Sequence, residues 1–260
     1  LLRPLEPQIV RALLRERYVM DRRHFLQLGA LAGAGSALSL GVAQAQPSTS
    51  TNARIVIIGA GAAGTALANR LARRLDGASI TIIDPRREHL YQPGLTLVAA
   101  GLKSPGYVVS QTTDWLPREA TLIAESVMAV DPVSKTVSTE GGQTIGYDYL
   151  VVAPGLVLDH GAIEGFSLDM VGKDGIGALY AGPEYAARTW QAAQRFTQEG
   201  GTAIFTRPAT EMKCAGAPLK HAFLVNELTE RAGNLGKAKF IYAAQNETLF
   251  GVPIVSEKVR

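Results

Sequence analysis

The chain has 260 residues, 47% apolar and 19% charged, enough for one large or two modest globular units with a sizeable core, and not a disordered composition. Residues 1–23 carry six of the 26 basic residues and only three of the 23 acidic ones, so from residue 24 onward 20 basic side chains face 20 acidic ones and a nucleic-acid partner has no electrostatic support. One cysteine, Cys214, excludes an internal disulfide scaffold and a cysteine-built zinc site, and four scattered histidines (His24, His89, His160, His221) give no helical ligand pair, so no metal is predicted.

The first element is an address. Met20-Asp21-Arg22-Arg23-His24-Phe25-Leu26 opens a stretch without charge until Arg54, mildly apolar from Phe25 to Val42 and closed by Ala43-Gln44-Ala45. A basic start, an apolar middle and a small-residue end describe a cleaved export signal, and paired arginines before Phe-Leu resemble its twin-arginine type. Residues 1–45 are therefore read as a signal region, and the protein as periplasmic. Because the chain starts at Leu1 and Met20 directly precedes the arginines, residues 1–19 are expected to be an upstream extension or an artefact of a fragment.

Residues 46–160 are predicted to form a dinucleotide-binding domain of the Rossmann type. Arg54 to Ile58 is a β-branched run apolar on both faces, as a buried parallel strand requires. It enters Gly59-Ala60-Gly61-Ala62-Ala63-Gly64, followed by a helical pattern with Leu67, Leu71 and Leu75 on one face. A second strand, Ser79 to Ile83, ends in Asp84, 20 residues after Gly64. Gly59 permits the tight turn, Gly61 lets backbone approach a pyrophosphate, and Gly64 lets helix pack on strand. Free N–H groups near Ala62 and Ala63 face the phosphate charge, and Asp84 can accept hydrogen bonds from a ribose.

Three features point to FAD rather than NAD: Gln92-Pro93-Gly94 soon after the acid, a strand pair around Asp131-Pro132 turning at Gly141-Gly142, and Tyr147 to Val152 ending in Ala153-Pro154-Gly155. The last resembles the strand-end motif of flavoproteins with two dinucleotide-binding domains. Residues 161–260 are read as part of a second Rossmann-like domain. It holds a helix from Tyr185 to Gln198 with Trp190 and Phe196 as core anchors, a strand from Gly201 to Phe205, and a helix from Leu219 to Arg231 with Leu219, Phe223, Leu224 and Leu228 on one face. The fold class is thus α/β with two Rossmann-like domains, incomplete at the carboxy terminus.

The strand ending at Phe205 runs into Thr206 to Pro218, where a second Gly-x-Gly-x-x-Gly would bind a nicotinamide nucleotide. That loop is missing and Cys214 stands in its neighbourhood, which argues against NAD(P)H as electron donor. Cys214 is either an inert cysteine or a reactive one; its place ahead of a helix amino terminus, with Lys213 adjacent and Lys220 one turn in, favours a lowered thiol pKa.

The segments Tyr91 to Val98, Ala153-Pro154-Gly155 and Lys213-Cys214-Ala215-Gly216-Ala217-Pro218-Leu219-Lys220 resemble the sulfide:quinone oxidoreductases over residues 53–260. The resemblance implies a monotopic membrane flavoenzyme with FAD and a redox cysteine pair, taking sulfide as substrate and a quinone as electron acceptor. Carried over, Gly59, Gly61, Ala62, Ala63 and Gly64 border the pyrophosphate, Asp84 holds the ribose, Gln92, Val127, Ala153, Pro154 and Gly155 are further FAD contacts, and Cys214 is one redox cysteine. The family's second cysteine, late Gly-Asp motif and membrane-surface helices belong to its carboxy-terminal part, so this chain is expected to be a fragment, inactive as it stands. A homo-oligomer stays open. The flavoprotein subunit of flavocytochrome c sulfide dehydrogenase also resembles the chain. A type II NADH:quinone dehydrogenase and a non-enzymatic flavin-binding protein complete the alternatives, disfavoured by the missing second glycine loop and by Cys214 respectively.

Overall fold

The computed structural model describes residues 48–208, 210, 212–214, 216–245, 248–249 and 252–259; the expected export signal lies outside them. In chain order these form β1 (Thr49–Ser50), β2 (Arg54–Ile58), α1 (Ala62–Ala72), β3 (Leu75–Asp76), β4 (Ser79–Ile83), β5 (Glu88–Leu90), α2 (Leu95–Val98), β6 (Val109–Gln111), β7 (Ala120–Ile123), β8 (Val127–Asp131), β9 (Thr136–Thr139), β10 (Thr144–Gly146), β11 (Tyr149–Val152), α3 (Pro183–Glu199), β12 (Gly201–Thr206), α4 (Ala217–Arg231), β13 (Ala238–Ala243) and α5 (Pro253–Val259), with single 3-10 turns between several of them.

The main sheet is parallel, in the order β11-β2-β4-β7. Its two faces have two different covers, which is why β2 carries apolar residues on both and β4 ends in Ile82-Ile83. Ile55, Ile57, Ile80 and Ile82 pack with Ala60 and Ala68 beneath α1. Val56 and Ile83 point the other way, onto Val137 of the antiparallel β10-β9-β8 sheet and Tyr147, the residue after β10. Side chains of adjacent strand residues thus enter opposite cores.

The expected elements stand where the pattern puts them, with three corrections. α1 ends at Ala72, and Leu75 lies in β3, paired with Thr49; the chain turns at Gly77 in the left-handed region before β4 begins. In α3, Trp190 and Phe196 are only half-buried, and Ala186, Thr189 and Thr197 make its buried row. In α4 the buried row is Leu219, His221, Val225 and Thr229, while Phe223 is exposed. Helical spacing alone marks a face by hydrophobicity, but these helices bury small and hydrogen-bonded polar residues where they approach other elements closely.

The carboxy-terminal elements form a second parallel pair, β12-β13, in contact with α4. Phe205 stacks on Phe240 at 6.2 Å and Phe196 meets Phe240 edge-on at 5.2 Å, so the pair carries its own aromatic core. A cluster of Leu95, Val98, Ala99, Val108 and Ala186 joins α2 to α3. No helix among the described residues is long and apolar enough to cross a membrane.

Candidate functional site

The site begins where β2, β4 and β11 end together. Gly59 N–H donates to the Ile83 carbonyl at 2.8 Å and Ala153 N–H to the Ile58 carbonyl at 2.8 Å, which draws all three carboxyl ends to one point. Gly59 sits at φ +103°, and a Cβ there would lie 2.2 Å from the Ala153 carbonyl oxygen and 2.9 Å from Pro154 Cα. Ala153-Pro154 therefore crosses directly over the turn. A Cβ on Gly64 would lie 1.9 Å from the Gly59 carbonyl oxygen. Gly61 is different: a Cβ there would meet nothing nearer than Arg86 Nη2, at 4.0 Å. Two glycines thus close the fold, and the third leaves open space at the amino terminus of α1.

Ala62 and Ala63 are exposed at that helix start, whose first-turn N–H groups have no acceptor within the helix. A diphosphate fits such a place, because the dipole end and free donors both favour anionic oxygen.

Asp84 closes the other side. It is 3% exposed, and Oδ2 accepts from Ala60 N–H at 2.7 Å and Arg86 Nη2 at 2.8 Å. Oδ1 accepts from Arg86 N–H at 2.9 Å and Arg86 Nε at 3.0 Å. Burial pushes this carboxyl up, but the hydrogen bonds from the Arg86 side chain and from the Ala60 and Arg86 backbone outweigh it and hold it below the ordinary carboxylate range. The pattern of a strand ending in an acid locates Asp84; nothing in it singles out Arg86, which reads as one more polar loop residue.

Val127 opens β8 opposite Thr139, half-buried against the cluster that holds Ile83, and Gly155 takes φ +83° just beyond Ala153-Pro154. Gln92 starts a single turn, Gln92–Gly94, that leads into α2. Its side-chain oxygen accepts a hydrogen bond from Lys213 Nζ. The two segments most distinctive in the sequence, 121 residues apart, therefore touch.

Cys214 follows Lys213. It is exposed, takes the left-handed φ of +53°, and its carbonyl accepts from Ala217 N–H at 2.7 Å as α4 begins. Burial, and after it the electrostatic influence of Cys214, push the Tyr180 phenol up. Ala215 lies outside the described residues. His221, one turn into α4, reaches the Ala99 carbonyl through Nε2 at 3.0 Å and packs edge-on against Phe205. A carbonyl only accepts, so Nε2 carries the proton. Burial lowers the His221 pKa. The sequence gives no sign of this role, because His221 falls between the apolar positions of the helix. Among the described residues no group of three or more His, Cys, Asp or Glu could hold a metal ion.

Residues 53–202 match the pyridine nucleotide-disulphide oxidoreductase family. Over 198 residues, 75% of the chain, the sequence is 35% identical to the mitochondrial sulfide:quinone oxidoreductase of Mus musculus, of which it covers 42%. It is 32% identical over 200 residues to the mitochondrial sulfide:quinone oxidoreductase of Dictyostelium discoideum, covering 76% of the chain and 44% of that protein. The X-ray structure of the sulfide:quinone oxidoreductase from Aquifex aeolicus superposes with a TM-score of 0.62 at 24% identity, covering 80% of this chain and 48% of that one, which establishes a shared fold. The chain spans less than half the length of each of these relatives.

Proposed function

The chain belongs to the pyridine nucleotide-disulphide oxidoreductase family, and we propose that it forms the FAD-binding and cysteine-bearing part of a sulfide:quinone oxidoreductase. Members of this family are flavoproteins, and FAD, when bound, supplies a two-electron acceptor. Gly59, Gly61 and Gly64 with the α1 amino terminus hold the pyrophosphate, Asp84 faces the ribose, and Gln92, Val127 and Ala153-Pro154-Gly155 border the rest of the cofactor. Sulfide attacks a disulfide or bridged sulfur that joins Cys214 to the family's second cysteine: the new S–S bond leaves one sulfur as a persulfide, the broken one frees the other as a thiolate, and its two electrons would pass through bound FAD to a quinone. Residues 46–160 make the nucleotide domain and residues 161–260 the cysteine-bearing one.

One observation carries this reading. β12 leads not into a second glycine loop but into the loop of Cys214, whose neighbour Lys213 binds Gln92 of the nucleotide unit. The anaerobic flavin spectrum tests it. Sulfide is expected to bleach the flavin of the full-length protein, and added quinone to restore it. Bleaching by NADH and none by sulfide would overturn the reading.

We place the protein in the periplasm on the strength of Arg22-Arg23 and the apolar stretch after them, and at the membrane surface on the resemblance to the sulfide:quinone oxidoreductases, through the part carboxy-terminal to this chain. Replacing both arginines by lysine is expected to keep it in the cytoplasmic fraction; unchanged export would refute the assignment.

A further inference from the structure

We propose that Arg86 is a nucleotide-phosphate ligand stored on Asp84, released to the pyrophosphate when ribose hydroxyls take its place. The inference rests on the nucleotide-binding reading above and concerns a residue that reading leaves without a role.

A carboxylate offers about four acceptor positions, two on each oxygen. On Asp84 all four are filled: Ala60 N–H and Arg86 Nη2 on Oδ2, Arg86 N–H and Nε on Oδ1. A ribose that donates both vicinal hydroxyls needs two of them. The Ala60 and Arg86 N–H groups are backbone, fixed by the turn and by the strand end, and cannot leave without unmaking the fold. The two side-chain donors, Nε and Nη2, can. The numbers match: two hydroxyls enter as two guanidinium bonds break.

The released guanidinium has a nearby destination. Its Nη2 already lies 4.0 Å from where a Cβ of Gly61 would be, over the open part of the glycine turn. Arg86 is half-exposed while the Asp84 carboxylate is buried, so the fork can swing without dragging the acid with it. A planar fork that binds a carboxylate with two parallel N–H groups binds a phosphate equally well. The exchange trades one ion pair for another. Asp84 keeps its backbone donors and gains two hydroxyls, and the diphosphate gains the cation.

The full-length protein stripped of flavin tests this by calorimetric titration with ADP and with adenosine. Arg86→Met is expected to weaken ADP about tenfold to a hundredfold, the loss of a bidentate charge-assisted contact. Adenosine, which lacks the phosphates, should bind the variant as tightly as wild type or tighter, since Asp84 is then unobstructed. Equal losses for both ligands would overturn the proposal and make Arg86 a brace for Asp84. Should Arg86→Met fail to fold, Arg86→Lys, which keeps the charge but not the fork, must still weaken ADP more than adenosine; an equal effect on both refutes the proposal. Wild-type protein that binds neither ligand overturns the nucleotide reading itself, and this inference with it.

Discussion

Lys213 donates its ammonium hydrogen bond to the side-chain oxygen of Gln92, joining the residue before Cys214 to the turn that leads into α2. This contact ties the cysteine loop to the nucleotide unit from outside, while His221 ties α4, the helix that follows the loop, to the Ala99 carbonyl. Lys213 is exposed, so the bond is screened and contributes modestly. Lys213→Met is expected to leave flavin content unchanged and to slow sulfide-driven bleaching roughly fivefold, as the loop samples positions away from the flavin. Stopped-flow absorbance measures the rate. An unchanged rate at full flavin content would dismiss Lys213 as a positioning residue.

The three glycines of the turn separate fold from ligand. Gly59→Ala and Gly64→Ala each drive a methyl into backbone carbonyls, at 2.2 Å and 1.9 Å, and no flexible side chain can yield. Each is expected to cost about 3 kcal/mol or to abolish folding, read from urea melts. Gly61→Ala meets open space with φ −74°, so its stability should change by no more than about 0.5 kcal/mol. On the function proposed above the methyl would enter the space taken by the pyrophosphate, and FAD affinity should fall at least tenfold by fluorescence titration. A Gly61→Ala protein with wild-type affinity would remove the phosphate from this turn.

Much of this site is written plainly in the chain. Two β-branched runs, a six-residue glycine pattern between them and an acid at the end of the second prescribe a parallel βαβ unit almost without alternatives, because each residue serves a backbone requirement. The less legible parts depend on what lies across a contact. Nothing in the sequence pattern sets Gly101 apart, yet a Cβ there would strike the Trp190 ring at 2.2 Å. The same closeness leaves Trp190 half-buried at the rim while Ala186 and Thr189 fill the α3 contact. Arg86 and His221 act through partners that no spacing rule names. Arg86 reaches back two residues to a buried acid, and His221 reaches 122 residues to a carbonyl.

His221 predicts a pH response. Burial holds its folded pKa below the unfolded value of about 6.5. Between those two values the unfolded chain binds a proton that the folded protein refuses, so stability rises with pH there and is lost as pH falls from about 6.5 toward the folded pKa. The slope for one group is at most about 1.4 kcal/mol per pH unit. His221→Gln keeps a donor for the Ala99 carbonyl and cannot titrate. It is expected to be less stable than wild type at pH 7.5, by about 1 kcal/mol, with the gap narrowing or reversing at pH 5.5. Urea melts at the two pH values measure this. A gap independent of pH would mean that His221 titrates alike in both states.

Cys214 holds a conformation that costs free energy, and this sets up the sharpest contrast in the molecule. At φ +53° a side chain with a Cβ is strained by roughly 1–2 kcal/mol, and glycine would relieve it at an entropic cost of about 0.5–1 kcal/mol. Cys214→Gly is therefore expected to be neutral or stabilising by up to about 1 kcal/mol, the opposite sign from Gly59→Ala. If the sulfur is what the strained position is kept for, the same variant, like Cys214→Ser, should retain FAD and lose all sulfide-driven bleaching. Cys214 is exposed, so after reduction a maleimide should modify the peptide that carries residue 214 in wild type and not in either variant, which confirms the site before the assay. Sulfide bleaching that survives in both variants would show that the electrons do not pass by way of this sulfur.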